Sequence, residues 1–167
     1  MVAANHVAFT APINPPGASP VLTIDHIWPL LQRKIRRAEE FVGGAIAATE
    51  VISTSTTSAG LPVTVREVTF RGPEGRRTHE ECIEFRPMKV EFHQVNGSKV
   101  QNVISESADG SLNMTYTFEW QHPELEGNEA GLAEKLKAEK ALARLAVESS
   151  IKAMREMVAD GRWTEKV

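Results

Sequence analysis

Polar side chains suited to proton transfer are predicted to share one face of an otherwise apolar sheet. They are Arg66, His79, Glu81, Asn102, Glu106 and Tyr116. A carboxylate in a dry pocket has a raised pKa and serves as a general base, and a phenol can donate a proton to a carbonyl oxygen. We therefore predict that Glu81 or Glu106 is a base and Tyr116 a donor, while Arg66 orients a carboxylate or an enolate.

The same residues also have a purely structural interpretation. Glu81 and Glu106 can pair with Arg66 in a network that only compensates buried charge. The Tyr116 hydroxyl can find a backbone partner in the core, and Asn102 can likewise hold a backbone group. His79 lies near the start of a predicted strand, where a side chain often faces solvent.

The alternation of residue types along the strands defines this face. Residues 112–121 place Leu112, Met114, Tyr116, Phe118 and Trp120 on one side and polar residues on the other. A split with period two indicates one buried face and one wet face. The same alternation places Val68, Ile83, Phe85, Val90, Phe92, Val100 and Ile104 inside, together with the polar group above. It places Cys82 outside or between layers.

The strands that carry these residues form a continuous run in the middle of the chain. After a first strand over 6–11, strands are expected near 46–56, 62–71, 77–85, 88–95, 99–107 and 112–121. The pairs Asn96-Gly97 and Asp109-Gly110 between alternating runs are strong hairpin signals. Consecutive strands joined by short turns predict an antiparallel meander.

Two helices are expected to flank the sheet. In the first, roughly 23–41, an apolar stripe is expected to pack while the basic residues Arg33, Lys34, Arg36 and Arg37 face water. The second, about 132–160, is rich in strong helix formers and is followed by Gly161 as a C-cap. Its predicted inner face carries Leu132, Leu136, Leu142, Ala143, Ala146, Ser149, Ser150, Ala153, Met154 and Met157, so this amphipathic helix is expected to lie on the sheet.

The polar minority on the concave face predicts an internal cavity, because such groups require water or a ligand. The expected lining is Asn102, His79, Phe92, Met114, Phe118, Trp120, Ala146, Ser149 and Met154. The predicted fold class is α+β: a curved, six- to seven-stranded antiparallel sheet wrapped around a long C-terminal helix with an apolar cavity between them. We expect one domain over 1–167.

Composition narrows the classes of function. The net charge is −3 and no block of lysine or arginine stands out, which argues against a nucleic-acid or membrane partner. The single cysteine favours a reducing compartment, and the N-terminus lacks the pattern of a signal peptide, so a cytoplasmic location is expected. The histidines lack metal-ligand spacing, and no phosphate-binding glycine pattern occurs. We therefore expect no metal and no cofactor.

The order of elements resembles the helix-grip fold of the SRPBCC superfamily, which includes the START domains, birch-pollen-type allergens and aromatic polyketide cyclases. Several segments look like its AtaL-like branch, found in fungal natural-product clusters. These segments are Ile27-Trp28-Pro29-Leu30-Leu31 with Lys34, Phe41-Val42, Arg86-Pro87-Met88-Lys89-Val90-Glu91-Phe92, and Leu112-Asn113-Met114-Thr115-Tyr116-Thr117-Phe118-Glu119-Trp120. The resemblance implies a cavity for a hydrophobic small molecule. It transfers no catalytic residue, and fold alone does not fix function.

Two main hypotheses about function follow. The first is a cofactor-free cyclase or isomerase that folds a polyketide-like intermediate and promotes ring closure, such as formation of a lactone or pyrone, by acid–base catalysis. The second is a carrier that binds a hydrophobic small molecule without converting it. A third hypothesis is a paralogue with a collapsed core, in which these residues serve stability alone. In each case the chain is expected to be a monomer or a weak homodimer.

Overall fold

Seven antiparallel strands form one continuous sheet in the computed structural model, which describes residues 2–167. They are β1 (Ala4–Pro12), β2 (Ile46–Thr56), β3 (Pro62–Phe70), β4 (Arg77–Phe85), β5 (Lys89–Gln94), β6 (Lys99–Glu106) and β7 (Leu112–Gln121). Their spatial order is β1-β7-β6-β5-β4-β3-β2, so β1 joins the end of the meander. The sequence prediction of the strands is confirmed, with small differences at the strand ends.

Glycine turns set the register of the last two hairpins. Gly97 and Gly110 have φ angles of 86° and 81°, a left-handed conformation that glycine adopts without strain. The resulting register pairs Asn102 with Tyr116, so these two side chains project from neighbouring strands onto the same face. The predicted inner face of β7 is confirmed, because Met114, Tyr116 and Phe118 are buried.

The predicted orientation of β4 is wrong by one residue. Glu80 and Cys82 face inward and are buried, whereas Glu81 is exposed. The reason lies in the neighbouring strand, where Arg66 is in register with Glu80 and forms a buried ion pair with it. This inward ion pair outweighs the local alternation of β4.

The first helix, α1 (Ile24–Arg36), is shorter than predicted and presents basic residues to the core. Thr23 caps it together with His26, and a separate 3₁₀ turn follows at Ala38–Glu40. Arg33 and Lys34 are buried, so the expectation that both face water is wrong. Arg33 is compensated by an ion pair with Glu40, at 2.5 Å. Lys34 is enclosed differently, as described below.

The long helix α2 (Glu129–Asp160) runs alongside β1. Asn5, at the start of β1, donates to the backbone of Leu132, and Arg155 donates to the carbonyl of Ile13, just past the end of β1. Gly161 ends the helix in the left-handed conformation predicted for a C-cap. None of the helices within residues 2–167 is long and apolar enough to cross a membrane.

The predicted inner face of α2 is partly confirmed. Ala143, Ser150, Ala153, Met154 and Met157 are buried. Leu142 is 50% exposed, so its assignment to the inner face is wrong. The buried set also includes Glu139, Val147 and Ile151, which rotates the inner face relative to the prediction.

A buried polar cluster fastens α2 to the sheet. The Glu139 carboxylate accepts a hydrogen bond from Asn5 Nδ2 at 2.6 Å, and its other oxygen lies 2.6 Å from His122 Nε2. All three side chains are buried. Because β1, the end of β7 and α2 each contribute one member, this cluster fixes the position of the helix on the sheet.

Replacing Glu139 with alanine is expected to lower the free energy of unfolding by about 2–5 kcal/mol, because Asn5 and His122 lose their buried partner. Chemical denaturation of the variant measures this loss. Glu148→Ala is the matched control on the same helix, since Glu148 pairs with Arg144 at the surface and such pairs contribute about 1 kcal/mol or less. Equal effects of the two substitutions would contradict the assigned role of the cluster.

Candidate functional site

Lys34, Asn102 and Tyr116 meet at the centre of the concave face. Lys34 Nζ lies 2.8 Å from Asn102 Oδ1 and 2.8 Å from Tyr116 Oη. The same nitrogen lies 4.2 Å from the centroid of the Tyr116 ring. All three side chains are buried. The sequence placed Asn102 and Tyr116 on this face, and the structure adds a primary amine between them.

Two polar atoms in this cluster lack hydrogen-bond partners. One is Asn102 Nδ2, which has no acceptor. Only the amide oxygen of this side chain is engaged, since it accepts a hydrogen bond from Lys34. Ser150 Oγ on α2 is the other; it lies close enough to Tyr116 to lower the pKa of that phenol, but no hydrogen bond joins the two side chains. Unpaired buried donors are rare in folded proteins, so each of these atoms is a candidate partner for a ligand. The cluster therefore has unused capacity to bind a polar group.

The Lys34 amine is enclosed without a carboxylate of its own. Among the ion pairs of residues 2–167, none includes Lys34. Burial, and secondarily the positive charge of Arg66, hold the pKa of Lys34 well below its ordinary value of 10.5, while Glu80 opposes this shift. Burial also raises the pKa of Tyr116. The pair is thus biased toward a neutral amine and a neutral phenol.

The Arg66–Glu80 ion pair positions Lys34. Both partners are buried, and Arg66 Nη2 lies 2.6 Å from a Glu80 oxygen. Arg66 Nη1 donates to the backbone carbonyls of Lys34 and Ile35, each at 2.9 Å. Both carbonyls lie in the last turn of α1, where no N–H of the helix is available to bond to them. Arg66 is therefore engaged by protein groups and acts as a positioning residue.

Apolar side chains surround the polar cluster. Phe92 lies against both basic side chains, with its ring centroid 4.7 Å from the Arg66 guanidinium carbon and 5.9 Å from Lys34 Nζ. Met114, Phe118 and Met154 belong to the same buried core. Trp120 stacks on Phe118 at 4.5 Å and, like Ala146 and Ser149, is only partly buried. The predicted lining residues therefore range from fully buried positions in the core to partly exposed positions near solvent.

The remaining predicted residues lie away from this cluster. His79 and Glu81 are exposed, and His79 contacts Glu67 at the surface. Glu106 has the inward phase of β6 but lies exposed at the end of that strand. Cys82 lies on the inner face, so its predicted place outside or between layers is wrong. Burial raises the pKa of its thiol to about 12, so it remains protonated. The prediction that Glu81 and His79 face inward is wrong.

Lys34 could have been found from the helical period of α1. Ile27, Leu30, Leu31, Lys34 and Ile35 follow the spacing i, i+3, i+4, i+7, i+8 of a single helix face. The run of basic residues from Arg33 to Arg37 suggested a wet surface and obscured this spacing. A charged residue in the apolar register of a helix is the signal that identifies it.

Two surface depressions lie elsewhere. One, of about 350 Å³, lies between the end of β1 and α2 around Pro15 and Lys152. The other, of about 620 Å³, includes Leu22, Asp25 and Glu106. Within residues 2–167 no three histidine, cysteine or carboxylate side chains are placed to share a metal ion.

Comparison of sequences places the chain in a family. Residues 7–161 match the AtaL family, described as acetylaranotin biosynthesis cluster protein L. The chain belongs to this family. Among curated proteins, none matches it in sequence.

Comparison of structures confirms the helix-grip fold of this AtaL family member. The di-domain ARO/CYC StfQ of the steffimycin biosynthetic pathway matches with a TM-score of 0.65 at 11% identity, over 94% of this chain and 52% of StfQ. The chain thus spans about half the length of that protein. Norcoclaurine synthase from Thalictrum flavum, solved with dopamine and hydroxybenzaldehyde, matches with a TM-score of 0.62 at 12% identity, over 99% and 91% of the two chains.

Proposed function

We propose that this AtaL family member is a cofactor-free enzyme of the polyketide-cyclase type, which promotes ring closure of a hydrophobic, carbonyl-bearing substrate. The observation that carries the proposal is the Lys34–Asn102–Tyr116 cluster, an amine and a phenol joined at 2.8 Å inside an apolar core. Membership of a biosynthetic-cluster family and the shared fold with the di-domain ARO/CYC proteins StfQ and BexL support the same class of activity.

Closure of a poly-carbonyl chain to a lactone or pyrone requires one polarised acyl carbonyl and one enol oxygen, and the enol forms when a base removes a proton from the carbon between two carbonyls. Asn102 Nδ2 and the Tyr116 hydroxyl are the donors available to a carbonyl oxygen, and Tyr116 also moves a proton. Lys34 is the basic group at the same place, so we assign formation of this enol to its amine. These roles replace the predicted carboxylate base, since Glu81 and Glu106 lie exposed and apart from Tyr116.

The apolar surroundings select the substrate. Phe92, Met114 and Met154 offer no hydrogen bonds, so they favour a ligand whose polar groups are confined to the reacting carbonyls. We propose a route from the surface to the cluster past the partly buried Trp120, Ala146 and Ser149. We propose that a flexible chain folds along this route into a near-attack conformation, giving a lactone or pyrone ring.

Replacing Tyr116 with phenylalanine is expected to slow ring closure by roughly 10²–10⁴-fold, because the variant keeps the ring and loses the proton donor. A synthetic linear 3,5-dioxo thioester, which closes to a pyrone, serves as the probe, and chromatography measures rate and product. Thr117→Val is the matched control, since it removes a hydroxyl from the adjacent residue on the outer face of β7, where it contacts Gln101.

Two results would contradict the proposal. If the wild-type protein changes neither the rate nor the product, the enzyme proposal fails. Retention of the probe without conversion would then assign the chain as a carrier. If Tyr116→Phe and Thr117→Val give equal rates, the phenol takes no part in the reaction.

A further inference from the structure

We infer that the Lys34 amine forms a covalent imine with an aldehyde or ketone carbon of the ligand. The inference rests on the proposed function and deepens it, because it names the bond that activates the substrate and the class of carbonyl required. An ester or thioester carbonyl alone does not suffice, since amines convert these groups to amides rather than imines.

The hydrogen bonds of Lys34 leave its nitrogen reactive. A neutral amine has two N–H groups, and the two acceptors near Lys34 are Asn102 Oδ1 and Tyr116 Oη. When both N–H groups donate to these oxygens, the lone pair of the nitrogen has no partner. A protonated amine at the same place would carry a third N–H group and a positive charge. Residues 2–167 provide no carboxylate in contact with Lys34 that could accept this hydrogen bond or balance the charge. The geometry therefore suits the neutral, nucleophilic state.

The neighbours of Lys34 suit attack on a carbonyl. Asn102 Nδ2 is buried, unpaired and carried by the same side chain that accepts from Lys34. A carbonyl whose oxygen accepts from this amide has its carbon close to the amine. Lysines that form Schiff bases in enzymes are typically desolvated or lie next to another cation. Lys34 is buried, and the positive charge of Arg66 also lowers its pKa.

The covalent step balances with the groups at the site. The lone pair of Lys34 attacks the carbonyl carbon, and the oxygen takes the Tyr116 proton, while an amine proton restores the phenol. This gives a carbinolamine. Its C–O bond then breaks, and the hydroxyl leaves as water with a proton from Tyr116, as the C=N bond forms. The resulting phenolate removes a proton from the adjacent carbon and leaves an enamine conjugated with the next carbonyl. The oxygen of that carbonyl then attacks the thioester carbon as the C=N bond forms again, and the thiolate leaves with the proton of Tyr116. The phenolate recovers a proton from the water that completes the cycle. Water finally hydrolyses the imine and releases Lys34.

Reductive trapping tests the inference on the unmodified protein. The protein is incubated at pH 6.5 with octanal and sodium cyanoborohydride, which reduces an imine to a stable octyl amine, and peptide mass spectrometry locates the modified lysines. At this pH only about 10⁻⁴ of an ordinary lysine is neutral. We expect Lys34 to be labelled at least about tenfold faster than Lys137 and Lys152, whose side chains are 76% and 78% exposed.

The outcomes separate this inference from the proposed function. Labelling of Lys34 no faster than that of Lys137 and Lys152 would overturn the inference. Accelerated closure of the 3,5-dioxo probe, with no Lys34 adduct after reduction, would overturn the inference and leave the proposed function standing. Preferential labelling of Lys34 without any acceleration of ring closure would support the imine and refute the cyclase.

Discussion

Replacing Lys34 with methionine is expected to reduce ring closure to the rate without enzyme and to stabilise the protein at neutral pH. Activity is lost because the substitution removes the amine that activates the substrate. Stability rises because methionine fills a similar volume without the cost of keeping an amine unprotonated in the core. The loss of hydrogen bonds to Asn102 and Tyr116 offsets part of this gain, by about 0.5–1.5 kcal/mol for each.

The gain in stability should depend on pH with a definite sign. Lys34 has a lowered pKa in the folded protein, so between that value and 10.5 the unfolded chain binds one more proton than the folded chain. The wild-type protein therefore loses up to about 1.4 kcal/mol of stability for each unit by which the pH falls through this window. Lys34→Met lacks this dependence, so its advantage grows as the pH decreases from 10.

Chemical denaturation of wild type and variant over a series of pH values measures the effect. Lys152→Met is the matched control, because it replaces a lysine by the same residue at an exposed position on α2. Parallel pH profiles of the wild type and Lys34→Met would show that the Lys34 amine is protonated in the folded state. Full activity of Lys34→Met would remove the amine from the mechanism.

Replacing Arg66 with methionine is expected to lower the free energy of unfolding by about 3–5 kcal/mol, because it strands the buried Glu80 carboxylate. The carbonyls of Lys34 and Ile35 also lose their donor, which loosens the end of α1. In the fraction that folds, removal of the Arg66 charge should raise the pKa of Lys34. The pH dependence of Lys34 labelling measures that shift, and urea denaturation measures the loss of stability.

Two companion variants test this interpretation of Arg66. Arg77→Met is the matched control, since Arg77 also joins β4 to β3 through Glu67 but lies at the surface, where the cost is about 1 kcal/mol or less. The double variant Arg66→Met/Glu80→Leu should recover part of the stability, because it removes the stranded charge. A double variant no more stable than Arg66→Met alone would mean that the helix carbonyls account for the loss.

The architecture was predictable from local sequence. Val, Ile, Thr and Phe in alternation, separated by Asn96-Gly97 and Asp109-Gly110, specify hairpins through backbone geometry that only nearby residues control. The same holds for α2, whose C-cap at Gly161 was predicted and observed. On β7 the local signal was strong enough to place Tyr116 correctly, because every inward position from Leu112 to Trp120 is apolar or aromatic.

The chemistry of the site was decided by contacts between distant elements. The alternation of β4 predicted the wrong phase, and the observed phase accompanies the pairing of Arg66 with Glu80 across the sheet. Lys34 was predicted to face water, yet the tertiary structure encloses it against Asn102 and Tyr116, 68 and 82 residues later in the chain. A lysine is tolerated there because its stem packs among apolar side chains and its amine finds two oxygens. The sequence alone determined the sheet, the long helix and the buried tyrosine. Only the folded structure determined that the basic group beside that tyrosine is an amine from α1. The physical reason is that a buried polar group depends on partners from distant elements, which local periodicity does not encode.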